Sequence, residues 1–191
     1  MPMRNSIEQL TNKLTAELAA DLTNKYIMFD TCVISTLTSL KSESPTKEIF
    51  DFLNEIKCVP GISEHIYVEC LRGQQSVIFI GKTKEFLSKF SRRRLAENQV
   101  PEFHEKMISV DRINQKYGIN GKQASYVDIT TSVFLQQWPN DLFLATFNIK
   151  DFCPKIFKLV SIIPLILSHK LQLLGIIQAD KEAFREEKTA L

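Results

Sequence analysis

Along this 191-residue chain, helical stripes of apolar side chains alternate with short continuous apolar runs, the pattern of a sheet covered by helices. Ser6 and Gln9 have capping-box spacing. Ile7, Leu10, Leu14, Leu18 and Leu22 follow at helical intervals, predicting an amphipathic helix within residues 1–23 that packs on its own domain. Tyr26, Ile27, Met28 and Phe29 form an unbroken apolar tract, which is how a parallel strand buried on both faces reads. A helix is expected from Val33 to Leu40 and another from Thr46 through Ile49, Phe50, Leu53 and Ile56, with a polar loop between them. Residues 58–62 read as a second strand, kept short or peripheral by Pro60 and Gly61.

Ser63 as N-cap and Gly73 as stop frame a helix, EHIYVECLR. Residues 82–94 hold six basic residues against Glu85, with Phe86, Leu87 and Phe90 as the apolar stripe of a basic helix. Pro101 and Gly118 bracket a further helix carrying Phe103, Met107, Val110 and Ile113. Another follows Ala124, with Val127, Thr131, Phe134, Leu135 and Trp138 facing inward. Residues 142–145 read as a buried strand and residues 159–163 as a further apolar strand, stopped by Pro164. The tail at 164–191 reads as a last helix with a frayed end.

The length suits one domain, with a core over residues 25–163 flanked by the two terminal helical segments. Composition is that of an ordinary globular protein, 44% hydrophobic and 24% charged. A net charge of only +2 means that any nucleic-acid contact must come from a local patch. Cys32, Cys58, Cys70 and Cys153 include no Cys-x-x-Cys pair, which argues against a zinc knuckle or a redox dithiol and for reduced, buried thiols. With no signal-type apolar region and no membrane-length tract, the expected location is the cytoplasm, without membrane contact.

The chemistry-bearing residues are acids. Asp30 stands at the carboxyl end of the first strand, where open α/β sheets bind ligands, although it could equally cap the following helix. Glu69 lies at the edge of the inward face of its helix, a position that also suits a solvated surface group. Asp128 falls in a first helical turn, where the helix dipole by itself favours an acid. Polar groups gather again after the strand at 142–145, in Thr146, Asn148 and Asp151. Carboxylates crowded into one crevice cannot all stay ionised unless a divalent cation neutralises them, and oxygen-only ligands select Mg²⁺ or Mn²⁺. Such a site hydrolyses phosphodiesters. The sequence holds no Gly-rich phosphate loop, Gly-x-Ser-x-Gly elbow or His-Glu-x-x-His helix. His65, His104 and His169 read as structural.

FDTCVI around Asp30, SEHIYVECLRG around Glu69, YVDITTSVFLQ around Asp128 and LATFNIKDF around Asp151 together resemble the PIN-domain ribonucleases, including VapC-type toxins. The resemblance runs from Tyr26 to about Ile163 and implies a three-layer α/β/α domain with a central, mostly parallel sheet. It implies Mg²⁺- or Mn²⁺-dependent endoribonuclease activity with Asp30, Glu69, Asp128 and Asp151 as catalytic and metal-holding acids. Thr31, Thr146 and Asn148 would support them, and Lys89, Arg92, Arg93 and Arg94 would hold the RNA. An antitoxin protein and a homodimer come into consideration as partners. The alternative is a PIN-like module that binds nucleic acid or protein without catalysis. Cys32 stands where many relatives carry Asn or Ser, which removes a good hydrogen-bonding group, and its thiol pKa should be raised by the neighbouring acids.

Overall fold

The computed structural model describes residues 16–40, 44–72, 77–90, 94–119, 125–167 and 170–191. It is an α/β fold built on one mixed sheet in the order β3-β2-β1-β4-β6-β5. The strands are β1 (Tyr26–Phe29), β2 (Val59–Ser63), β3 (Arg94–Leu95), β4 (Leu142–Thr146), β5 (Phe157–Leu167) and β6 (Lys170–Ala179). The helices are α1 (residues 16–22), α2 (Thr31–Ser39), α3 (Ser44–Glu55), α4 (Glu64–Arg72), α5 (Val77–Leu87), α6 (Phe103–Lys116), α7 (Tyr126–Gln137) and α8 (Lys181–Thr189). No helix among the described residues is long and apolar enough to cross a membrane.

β1 lies between β2 and β4 and is parallel to both, with Tyr26 opposite Val59 on one side and Leu142 on the other. Its last three residues are fully buried, as an unbroken apolar strand requires. From β1 the chain first crosses outward to β2 and β3, then returns to place β4 on β1's other side. That reversal makes the β1/β4 boundary the switch point of the sheet, where the carboxyl ends of two parallel strands open onto a crevice. β3 pairs only with Ile62 and Ser63, so Pro60 faces an open edge where its missing N–H costs no ladder bond.

The core runs from Leu18 and Leu22 on α1 to Phe184 on α8, so what is described of the amino-terminal helix packs on its own domain. Ser6, Ile7, Gln9, Leu10 and Leu14, expected on the same helix, lie outside the described residues. Phe29 and Phe90 meet edge to face at 5.3 Å, and Phe50 packs between Phe86 and Phe90.

Two expectations fail. The tail after Pro164 is not a helix: β5 runs through Pro164 to Leu167, and β6 returns antiparallel to it and inserts beside β4, with a helix only from Lys181. Pro164 does not end the strand because β5 is the sheet's edge, where a residue without an N–H is tolerated. The basic helix expected over residues 82–94 ends at Leu87. The Ser88 hydroxyl donates to the Glu85 carbonyl at 2.6 Å, and the next two N–H groups bond three residues back rather than four, which turns Phe90 into the core. Arg94 is consequently in β3, and Arg92 and Arg93 lie outside the described residues.

Candidate active site at the switch point

Asp30 is the first residue beyond β1 and the N-cap of α2, yet its side chain makes no capping bond. Its carboxylate turns to β4 instead. The Thr146 hydroxyl, fully buried at the end of β4, donates to Asp30 Oδ2 at 2.6 Å, and the Cys32 thiol donates to the same oxygen at 3.1 Å. Asp30 N–H donates to the Ala145 carbonyl at 3.0 Å, tying the two strand ends together. Only 7% of Asp30 is exposed, and a polar group so buried requires hydrogen-bond partners of this kind.

Cys32 remains part of the network rather than leaving a gap in it, because its sulfur also accepts the Phe147 N–H at 3.4 Å. Burial, then the Asp30 charge, pushes its thiol up to about 12, so it is no nucleophile. Burial raises Cys58 and Cys70 to about 12 as well, and all four cysteines are free thiols.

The Thr31 hydroxyl donates to Glu69 Oε2 on α4, which fixes that half-buried acid beside Asp30. α4 itself starts on a cap: Ser63 Oγ accepts the Ile66 N–H at 3.2 Å. Asp128 occupies the third position of α7 in a reciprocal capping box, its carboxylate accepting from the Ser125 N–H at 3.2 Å and the Ser125 hydroxyl at 2.7 Å. Burial pushes the Asp128 carboxyl up to about 6, the charges of Asp30 and Asp151 add to the rise, and the Ser125 hydrogen bonds oppose it. Asp151 closes the 3-10 turn Ile149–Asp151, and Asn148 precedes that turn with its backbone N–H on Thr146 Oγ1 at 2.9 Å.

The structure therefore brings Asp30, Glu69, Asp128 and Asp151 to the same end of the sheet, with Thr31 and Thr146 bonded directly to two of them. Asp30, Glu69 and Asp128 are each engaged with a hydroxyl. Among the described residues no three His, Cys, Asp or Glu side chains form a group that could hold a metal ion. The donor set is nonetheless all oxygen, the type that suits a hard divalent cation, and the charges of Asp30 and Asp151 add to the burial that raises the Asp128 carboxyl. The fit is thus one of chemistry and of neighbourhood.

Lys89 stands elsewhere. It lines a cleft of about 590 Å³ with Lys57, Val59 and Pro60, where β2 begins, at the opposite end of the strands from Asp30. A phosphate on Lys89 is therefore not at the carboxylates.

Sequence reading passes over Ser125, which holds Asp128, although the Ser-x-x-Asp spacing before an apolar run carries the signal. It also passes over an aromatic group at the same end of the sheet. His65 on α4 lies against Phe103 and Phe134 at centroid distances of 6.4 and 6.2 Å and meets Tyr126 edge-on at 5.2 Å. His65 Nε2 is 3.2 Å from Glu97 Oε1, within ion-pair range but not aligned for a hydrogen bond, so this buried nitrogen makes none. Comparison of the chain with protein-family models, with curated proteins and with solved structures finds no match.

Proposed function

We propose that this protein is a divalent-metal-dependent endoribonuclease of PIN-like type. The observation that carries the reading is the gathering of Asp30, Asp128 and Asp151 at the switch-point end of the sheet, where the charges of Asp30 and Asp151 add to the burial that pushes the Asp128 carboxyl up to about 6. Carboxylates that share one end of a sheet repel one another, a cation would relieve that repulsion, and perturbed acids in a crevice mark functional sites. Asp30, Glu69, Asp128 and Asp151 would hold Mg²⁺ or Mn²⁺. The bound ion would supply an activated water and charge neutralisation at the phosphodiester. Thr146 and Thr31 orient Asp30 and Glu69 through their hydroxyls.

The test is cleavage of single-stranded RNA with Mg²⁺ or Mn²⁺ by the wild-type chain and by Asp30→Ala, with circular dichroism to establish that the variant folds. Metal-dependent cleavage lost in the folded variant supports the reading, and cleavage retained at wild-type rate refutes it.

A second reading, a PIN-like module that binds nucleic acid or protein without catalysis, is favoured by the carboxylates' engagement with Thr31, Ser125 and Thr146. Thermal melting with Mg²⁺ or Mn²⁺ separates the two. An ion bound only by the folded state at a hundredfold excess over its Kd adds about 2.7 kcal/mol, and an unchanged melting temperature at millimolar metal favours the non-catalytic module.

A further inference from the structure

An aromatic series runs outward from the core and surfaces at the amino end of α7, the turn that carries Asp128. Trp138 stacks on Phe134 at 6.3 Å, Phe134 lies 6.2 Å from His65, and His65 takes the edge of Tyr126 at 5.2 Å with the rings 82° apart. The inner members are buried or half-buried, whereas Tyr126 is 52% exposed. Its ring is nevertheless held: the phenol hydroxyl donates to Glu97 Oε1 at 2.8 Å, and the backbone follows directly on the Ser125 cap.

Tyr126 opens α7, whose amino end carries Asp128, and α7 runs back along the sheet to feed β4. The ring therefore stands at the same end of the molecule as Asp30. An exposed phenol whose orientation is fixed by a carboxylate and a neighbouring ring has already lost much of the freedom that binding would remove. An aromatic ring that is held in place yet half exposed, at the end of the sheet that carries the carboxylates, offers a platform for an unstacked base, because every nucleobase presents a π face whatever its sequence.

We propose that Tyr126 is a nucleobase-stacking subsite, oriented by Glu97 and His65, that seats one base of single-stranded RNA so that the adjoining phosphate lies at the carboxylates. The proposal rests on the ribonuclease reading and adds its substrate contact. Tyr126 binds the base through its ring and takes no part in proton transfer. Glu97 and His65 are positioning residues.

The experiment measures the affinity of the full chain for a short single-stranded RNA in Ca²⁺, with a matched oligonucleotide carrying one abasic sugar, followed by cleavage in Mg²⁺. Base–aromatic stacking predicts a loss of about 5- to 150-fold for Tyr126→Ala and near-wild-type binding for Tyr126→Phe. The abasic oligonucleotide should bind wild type more weakly than the intact one and should bind Tyr126→Ala no worse than wild type. Tyr126→Trp, in a Trp138→Phe background so that it is the sole tryptophan, should have its fluorescence quenched by the intact RNA. Wild-type binding with equal affinity for intact and abasic RNA, or no loss in a folded Tyr126→Ala, overturns the subsite while leaving the nuclease reading standing. Failure of wild type to bind or cleave any RNA overturns both.

Discussion

Thr146 and Asp30 lie 116 residues apart in sequence and 2.6 Å apart in space, hydroxyl to carboxylate, at the adjacent ends of two parallel strands. The threonine also accepts the Asn148 N–H at 2.9 Å, so a single buried hydroxyl orients the first acid and starts the loop that leads to Asp151. It joins sheet and loop at the switch point.

Thr146→Val keeps the shape but deletes both bonds, leaving the Asp30 carboxylate and the Asn148 N–H without that partner. An unsatisfied buried polar group costs about 1–3 kcal/mol, so chemical denaturation should show a loss in that range. Thr146→Ser should recover most of it. Equal stability of the valine variant and wild type would show that water replaces the hydroxyl.

The Asp128 carboxyl is pushed up to about 6 in the folded chain from an ordinary value of 3.8. Between those values the native state binds more protons than the unfolded one, so this group's contribution makes stability fall as pH rises from about 4 to about 6. Above pH 6 the ionised acid is a standing destabilisation. Asp128→Asn, which still offers an oxygen to Ser125, should therefore raise the melting temperature at pH 7 and flatten the slope between pH 4 and 6. Ser125→Ala should act oppositely: it removes the hydroxyl bond to the Asp128 carboxylate, which favours the ionised form, and the cap on the Asp128 N–H, which costs about 1 kcal/mol. Melting curves for both variants at pH 4, 5, 6 and 7 give the comparison, and parallel pH profiles for Asp128→Asn and wild type would refute the assignment.

Gly175 on β6 pairs with Thr146 on one side and Ile162 on the other, and a Cβ there would lie inside contact distance of Ile149 Cγ1 and 2.7 Å from its Cδ1. Ile149 begins the turn that ends in Asp151, so the glycine is what lets this loop lie flat on the sheet. Gly175→Ala should destabilise by roughly 1–3 kcal/mol through overpacking. In the double variant Ile149→Ala removes the atoms in conflict, so Gly175→Ala should cost measurably less in that background than in wild type. Equal costs in the two backgrounds, measured by urea titration, would place the strain elsewhere.

The sequence by itself determined the elements whose signals are local. The apolar tract Tyr26–Phe29 appears as β1, the Pro101 and Gly118 brackets appear around α6 with Gly118 at φ +61°, and Asp128 sits in a first turn as its spacing indicates. Each rests on periodicity or cap chemistry within a few residues. The sequence also placed Asp30 just past a strand end, but could not choose between a cap and a site. Tertiary structure decided that, because the hydroxyl that draws the carboxylate away from α2 comes from β4.

The same division explains the failures. The tail after Pro164 alternates apolar and polar positions ambiguously, and only pairing with β4 and the edge position of β5 make residues 164–167 and 170–179 strands rather than a helix. The basic run breaks at Leu87, where the Ser88 hydroxyl bonds back to the Glu85 carbonyl and Phe90 packs on Phe29 and Phe50, contacts that come from distant parts of the chain. Neighbourhood of Asp30, Glu69, Asp128 and Asp151 is likewise a property of the sheet order. Parallel pairing carries residues scattered along the chain to one end of the strands, and no local rule in the sequence records that distance.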